Sequence, residues 1–276
     1  MIKSKIKLEN VNGTAIYSQL WEPENKVNGV IVLVHGLGEH ADRYSTHFSE
    51  FFNKKKYAIV TFDLPGHGKS GGKRGEIKQA DDFKKLVSSG IAFAKSKYPN
   101  LPVFIYGHSL GGLISLEFLI RQQPQIIGAI ITAPAIDVNE PIPPIKVALA
   151  NIMDKFFPSF TLDSGLNRDL LSRDVSVVEK YNSDSLVHGK TSSRLGMYFI
   201  NTGAYVRENA NEVTIPTLIM VGSAEGIVSK SAIDDFCEKS EKSEKIIWDG
   251  LFHELHNEPE KDDVLEFAFN WLQKHK

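Results

Sequence analysis

Val103-Phe104-Ile105-Tyr106-Gly107-His108-Ser109-Leu110-Gly111-Gly112-Leu113 decides the architecture of this chain. Its first four residues form a short apolar, β-rich run, and Gly112 to Gln122 carries the apolar spacing of a helix. Between them a serine stands in Gly-x-Ser-x-Gly spacing. A strand that turns sharply into a helix needs residues without side chains where the backbone folds back, and Gly107 and Gly111 provide them. The turn exposes Ser109 at the helix N-terminus, where backbone donors face developing negative charge. A serine hydroxyl is a poor nucleophile unless it is exposed, oriented and beside a base. The stretch predicts Ser109 as a nucleophile.

Outward from this turn, short apolar runs alternate with helical patterns. Val30 to Val34, Tyr57 to Phe62, Val103 to Tyr106, Ile126 to Ile131 and Thr217 to Val221 are continuous runs, as expected of parallel strands buried on both faces. Thr14 to Trp21 alternates in strand fashion, and the alternation of Met1 to Lys7 also reads as a strand rather than a signal peptide. Helical patterns cover Phe48 to Lys55, Gln79 to Lys97, Gly112 to Gln122, Ser231 to Lys239 and Asp262 to Lys274. This alternation predicts an α/β doubly wound fold.

One stretch breaks the rhythm. From Asn139 to Asn211 there is no clear core strand; the segment opens with Pro141, Pro143 and Pro144 and holds helical pieces at 147–157, 175–181 and 192–210. A structureless loop of that length is rare in a compact domain. The expected organisation is therefore a core over 1–138, a helical cap insertion over 139–211, and the second part of the core over 212–276. In Val147 to Phe157 the polar residues Asn151, Asp154 and Lys155 share one narrow face. The broad apolar face suits burial on the core, the mouth of an acyl-chain tunnel or shallow membrane contact. The repeated Glu-Lys-Ser over 238–243 reads as a solvated helix end.

With 276 residues, 42% hydrophobic and 24% charged, the chain can bury a sizeable core. A net charge of −2 leaves no basic excess for phosphate contacts, so nucleic acid is not an expected partner. The single cysteine, Cys237, rules out an intrachain disulfide framework. The longest apolar runs are too short to span a bilayer. A cytoplasmic protein is expected, with the cap as the region suited to weak peripheral membrane contact.

An acyl-transfer site needs backbone donors for an oxyanion. The N–H following the nucleophile, that of Leu110, is one; His35-Gly36-Leu37-Gly38 follows the run ending at Val34 and offers Leu37 as the second. The base should be a histidine late in the chain, with an acid between it and the serine. Nine histidines are present. His35, His67 and His108 sit in glycine turns, where holding loops together is their expected role. His253 and His256 follow the run at Lys245 to Trp248, and His253, nearer its end, is preferred. Glu225 is the only acid in the loop just past Val221, and Asp137 is held in reserve. The order Ser109, Glu225, His253 is the expected one.

The chain resembles the monoacylglycerol lipase and lysophospholipase group of α/β hydrolases. The matching segments are His35-Gly36-Leu37-Gly38-Glu39-His40 with Arg43-Tyr44, Asp63-Leu64-Pro65-Gly66-His67-Gly68-Lys69-Ser70, and the turn at Gly107. Leu171-Ser172-Arg173-Asp174 with Leu186-Val187-His188 and His253-Glu254-Leu255 with Asn257-Glu258 also match. The resemblance runs from about residue 30 to 260. It implies an α/β-hydrolase fold, a small-molecule acyl-glycerol or lysophospholipid substrate, no metal or other cofactor, and a cap that guides the acyl chain. The sequence departs from the family at Glu225, where aspartate is usual, and at Ser185, where proline is usual.

The expected function is a serine carboxylic-ester hydrolase acting on monoacylglycerols or similar single-chain lipids. A general short- or medium-chain esterase, thioesterase or lysophospholipase stands as the alternative on the same scaffold, and a catalytically silent α/β-hydrolase-fold binding protein as the alternative outside enzymes.

Overall fold

The chain enters the fold through two antiparallel strands, β1 (Ile2–Ile6) and β2 (Ser18–Glu22), on which the later parallel strands build. The computed structural model describes residues 1–140 and 142–276; Pro141, first of the three prolines noted above, lies outside the described residues. Next come β3 (Gly29–Val34), helix α1 (His47–Lys54), β4 (Tyr57–Phe62), α2 (Asp81–Lys97), β5 (Val103–His108), α3 (Leu110–Gln122) and β6 (Gly128–Thr132). After the insertion follow β9 (Thr217–Gly222), α7 (Lys230–Lys239), β10 (Ser243–Trp248) and α8 (Lys261–Lys274). One eight-stranded sheet runs β1-β2-β4-β3-β5-β6-β9-β10, parallel from β4 to β10.

The continuous apolar runs are continuous because both faces are covered. Along β3, Val30, Val32 and Val34 join Phe83, Leu86 and Leu113 of α2 and α3, while Ile31 and Leu33 join Phe48, Phe52 and Leu265 of α1 and α8. The expected alternation at Thr14 to Trp21 is not what forms. Thr14 makes an isolated bridge with Val11, and Ser18 to Trp21 are all buried, because β2 lies between β1 and β4.

The insertion contains α4 (Pro144–Phe156), β7 (Thr161–Asp163), α5 (Val175–Ser183), β8 (Lys190–Ser192) and α6 (Ser193–Glu208). Strands β7 and β8 pair antiparallel, three residues each, too short for any periodicity to betray them. The insertion is tied to the core by backbone bonds. His188 N–H donates to the Gly38 carbonyl at 2.9 Å and Ser192 N–H to the Gly75 carbonyl at 2.8 Å.

Helix α4 is apolar on two opposite sides. Val147, Ala150 and Met153 are half-buried on its inner side, where α4 packs on α6 and Asp154 pairs with Arg194 at 3.0 Å. Ile145, Leu149, Ile152 and Phe156, spaced four, three and four apart, form a single stripe on the other side. They are 79%, 59%, 55% and 65% exposed, and Phe157, Phe160 and Leu162 extend the patch. Only one of the two sides is covered, by α6. Among the described residues no helix is long and apolar enough to cross a membrane.

Candidate active site

Parallel pairing brings the carboxyl ends of β3, β5, β9 and β10 to one edge of the sheet, where open α/β sheets bind ligands. Val34 lies opposite Gly107, and Gly222 opposite Trp248. The loops carrying Leu37, Ser109, Glu225 and His253 therefore leave the sheet on the same side.

At the end of β5 the backbone turns so sharply that Ser109 takes φ 53°, a left-handed value. A non-glycine residue there stores on the order of 1–3 kcal/mol of strain. Space explains the glycines. A Cβ on Gly111 would lie 2.1 Å from the Val34 carbonyl oxygen, and one on Gly107 2.6 Å from Ser115 Oγ. The start of α3 is thereby pressed onto the end of β3, and a Cβ on Gly36 would come within 3.3 Å of the Ser109 Cβ. The Gly36–Gly38 loop thus borders Ser109. Leu110 is the first residue of α3, so its N–H has no intrahelical acceptor. Among the described residues neither Leu37 N–H nor Leu110 N–H meets a protein acceptor.

The late loop separates the two histidines. His253 Nδ1 lies 2.8 Å from Glu225 Oε2, with both side chains buried. Glu225 Oε1 accepts from the N–H groups of Ile227 at 2.6 Å and Val228 at 3.1 Å. The His253 ring stands 4.8 Å, centroid to centroid, from His108, the neighbour of Ser109. Among the described residues His256 has no hydrogen-bond partner at either ring nitrogen; it stacks on Tyr44 at 4.6 Å beside Phe48 and Tyr106. Asp137, the reserve acid, is bound to Arg207 at 3.1 Å and does not meet His253.

Burial and charge set the protonation states. Burial works to raise the Glu225 pKa, but the His253 charge, its hydrogen bond and the two backbone N–H groups outweigh it, and the value is lowered. Burial works to lower the His253 pKa, and the Glu225 carboxylate overcomes it, so the value is raised. Among the described residues neither His256 nor His108 has a carboxylate bonded to its ring. Burial pushes His256 down to about 3, and takes His108 well below its ordinary value. Both are neutral near pH 7.

The glycine-turn histidines bond their loops. His35 Nδ1 donates to the Gly36 carbonyl at 2.8 Å while Nε2 accepts from Leu64 N–H at 2.9 Å, which fixes its tautomer. His67 bonds the Pro65 carbonyl at 2.9 Å, and His108 the Thr132 hydroxyl at 3.0 Å. Among the described residues no cluster of His, Cys, Asp and Glu could hold a metal ion.

The chain matches the family described as serine aminopeptidase, S33, over residues 25–260. The chain belongs to that family. A monoacylglycerol lipase of Mycolicibacterium smegmatis is 30% identical over 99% of this chain and 98% of its own length. A phospholipase of Bacillus subtilis is 31% identical over 90% of this chain and 96% of its own. The crystal structure of Paleococcus ferrophilus monoacylglycerol lipase superposes with a TM-score of 0.86 at 30% identity, covering 95% of this chain and 99% of that one. This S33 member is a serine hydrolase of α/β-hydrolase fold, as its sequence led one to expect.

Two features of the S33 site escaped the sequence. One is an ion network: Arg43, from a 3-10 turn at Ala41–Tyr44, binds Glu39 and Glu254. The other is a strap from the insertion. Leu170 and Leu171 carbonyls accept from His253 N–H at 3.4 Å and Glu254 N–H at 2.8 Å, and Arg173 Nε binds Glu258 at 2.8 Å. All of these bonded residues except Leu170 lie within the motifs quoted above, but charges in loops read as solvated until a fold places them.

Proposed function

We propose that this chain hydrolyses esters of single-chain lipids, monoacylglycerols foremost, through an acyl-enzyme formed on Ser109. The observation that carries this reading is the buried 2.8 Å pair of Glu225 and His253 at the sheet edge that also presents Ser109. Two of the relatives above are named monoacylglycerol lipases and are matched over nearly their whole lengths.

In this mechanism His253 Nε2 takes the Ser109 hydroxyl proton as Oγ attacks the ester carbonyl. Glu225 holds Nδ1–H and stabilises the imidazolium. The Leu37 and Leu110 N–H groups receive the oxyanion of the tetrahedral intermediate. Collapse expels the alcohol, which takes its proton from His253, and water then cleaves the acyl-enzyme by the same path with His253 again as base.

We read residues 139–211 as a cap over the core formed by 1–138 and 212–276, and the outer side of α4 as a surface that rests on a lipid layer. A contiguous exposed apolar patch calls for a partner. Exposed Lys146 and Lys155 on α4 can keep their charges in the headgroup region. A lipid ester would then reach the site without crossing water. An aminopeptidase, the activity in the family's description, must hold a substrate ammonium; of the acids on the site loops, Glu39 and Glu254 are committed to Arg43 and Glu225 to His253.

A panel of monoacylglycerols, lysophospholipids, nitrophenyl esters and aminoacyl nitroanilides tests the reading. Each buried methylene contributes up to about 0.8 kcal/mol, or up to about fourfold in kcat/KM. We expect a climb from acetyl to octanoyl esters and a preference for a glycerol head. Preference for acetyl esters or for the nitroanilides would sink it.

A further inference from the structure

Strand pairing does not by itself set the distance between the two halves of the reaction centre. The Gly36–Gly38 loop follows β3 and the His253 loop follows β10, and β5, β6 and β9 stand between those strands. The Arg43 side chain spans the gap. Arg43 Nη1 and Nη2 donate to Glu254 Oε1 at 2.6 Å and Oε2 at 2.7 Å, a two-pronged pair across 211 residues of sequence. Nη1 also donates to Glu39 Oε2 at 2.5 Å.

The carboxylates are in turn fixed to the loops that matter. Glu39 Oε1 accepts from Gly36 N–H at 2.7 Å and from the Tyr44 hydroxyl at 2.8 Å. Glu254 is the residue after His253, and its Oε2 also accepts from Asn257 Nδ2 at 2.7 Å. Every carboxylate oxygen has a donor, and the Arg43, Glu39 and Glu254 side chains are 10%, 3% and 2% exposed. The Tyr181 ring of α5 lies 4.7 Å from the guanidinium, so the insertion itself lids the network. A buried ion trio is weak evidence for stability, because desolvation offsets most of the attraction. Its geometry points instead to alignment: Glu39 stands two residues from Leu37 at one end, and Glu254 one residue from His253 at the other.

We propose that Arg43 is a positioning residue that holds the His253 loop at a fixed distance from the Gly36–Gly38 loop, so that base and oxyanion donors meet the same carbonyl. The proposal rests on the assignment of Ser109, His253 and Leu37 made above. Lysine cannot reproduce the fork, and a displacement near 1 Å at a reacting centre costs on the order of 10²-fold in rate.

The test uses Arg43→Lys and the triple variant Glu39→Gln/Arg43→Met/Glu254→Leu, which removes the charges together and so avoids stranding a buried carboxylate. Each is measured for kcat and KM on 4-nitrophenyl octanoate, for the rate of fluorophosphonate labelling at Ser109, and for its unfolding midpoint. We expect kcat and the labelling rate to fall roughly 10- to 100-fold, with KM within about threefold of wild type, in whichever variant keeps the wild-type midpoint. A variant with unchanged midpoint and wild-type kcat would overturn the proposal alone. Losses that merely follow the unfolded fraction would overturn it too. Failure of the wild type to label at Ser109 would overturn the site assignment, and this proposal with it.

Discussion

One carboxylate, that of Glu225, holds both the His253 imidazole through Oε2 at 2.8 Å and its own loop through Oε1, which takes the Ile227 and Val228 N–H groups. The loop has formed around a glutamate, with backbone donors placed for the longer side chain. An aspartate here would have to make the same contact from a closer backbone.

Glu225→Gln keeps an oxygen for the two backbone donors but turns an amide N–H toward His253, where the productive tautomer also presents an N–H. Replacing a triad acid by its amide lowers kcat by roughly 10⁴ in a related arrangement, and a loss of that order is expected in steady-state hydrolysis. Glu225→Asp cannot serve imidazole and loop at once, so kcat should fall by about tenfold or more. An aspartate variant equal to wild type would mean that the loop adapts.

The pH dependence follows from the direction of the shifts. In the proposed mechanism His253 acts as a base when neutral, and its pKa is raised above the ordinary 6.5, chiefly by the Glu225 charge acting against burial. Activity should therefore be lost as pH falls, with the acid limb of kcat/KM centred above 6.5 in wild type and moved lower in Glu225→Gln. Stability has a different source. His67 and His256 titrate at about 3 in the fold but near 6.5 when unfolded. Below pH 6.5 the unfolded chain binds more protons, so each such group removes up to about 1.4 kcal/mol per pH unit. Unfolding midpoints between pH 7 and 5 should fall accordingly; a flat profile would contradict the burial of these rings.

The two late histidines should separate cleanly in mutants. His253→Ala should lose nearly all turnover, on the order of 10⁶-fold, as members of such a unit do. His256→Ala should keep most of its kcat at 25 °C and lose about 2–4 kcal/mol of stability, since it leaves a cavity among Tyr44, Phe48 and Tyr106. Inactivity of a folded His256→Ala protein would show that this imidazole takes part in the chemistry.

The outer stripe of α4 is open to direct measurement. A large aliphatic or aromatic side chain moved from water into lipid contributes about 1.5–3 kcal/mol, so Leu149→Ser with Phe156→Ser should weaken vesicle cosedimentation by on the order of 100-fold. Hydrolysis of a soluble short ester should not change, because neither residue faces the core. Unaltered vesicle binding would exclude this face as the contact.

What the sequence determined by itself was whatever local chemistry enforces. Gly107 and Gly111 around Ser109 can be read without a structure, because only glycine tolerates the contacts that such a turn creates. Continuous runs such as Tyr57 to Phe62 announce strands covered on both faces, and the order of Ser109, Glu225 and His253 follows the order of the strands. Other features are relations between distant segments, and only the tertiary structure decided them. His253 and His256 share one loop and one residue type; they differ in whether a carboxylate from the end of β9 comes within 2.8 Å. Both sides of α4 are apolar in composition, and packing on α6 chose which one to bury. Arg43, Glu39 and Glu254 are three ordinary charges in the sequence. They become one network because folding withdraws them from water into an interior where an unpaired charge is too costly to keep.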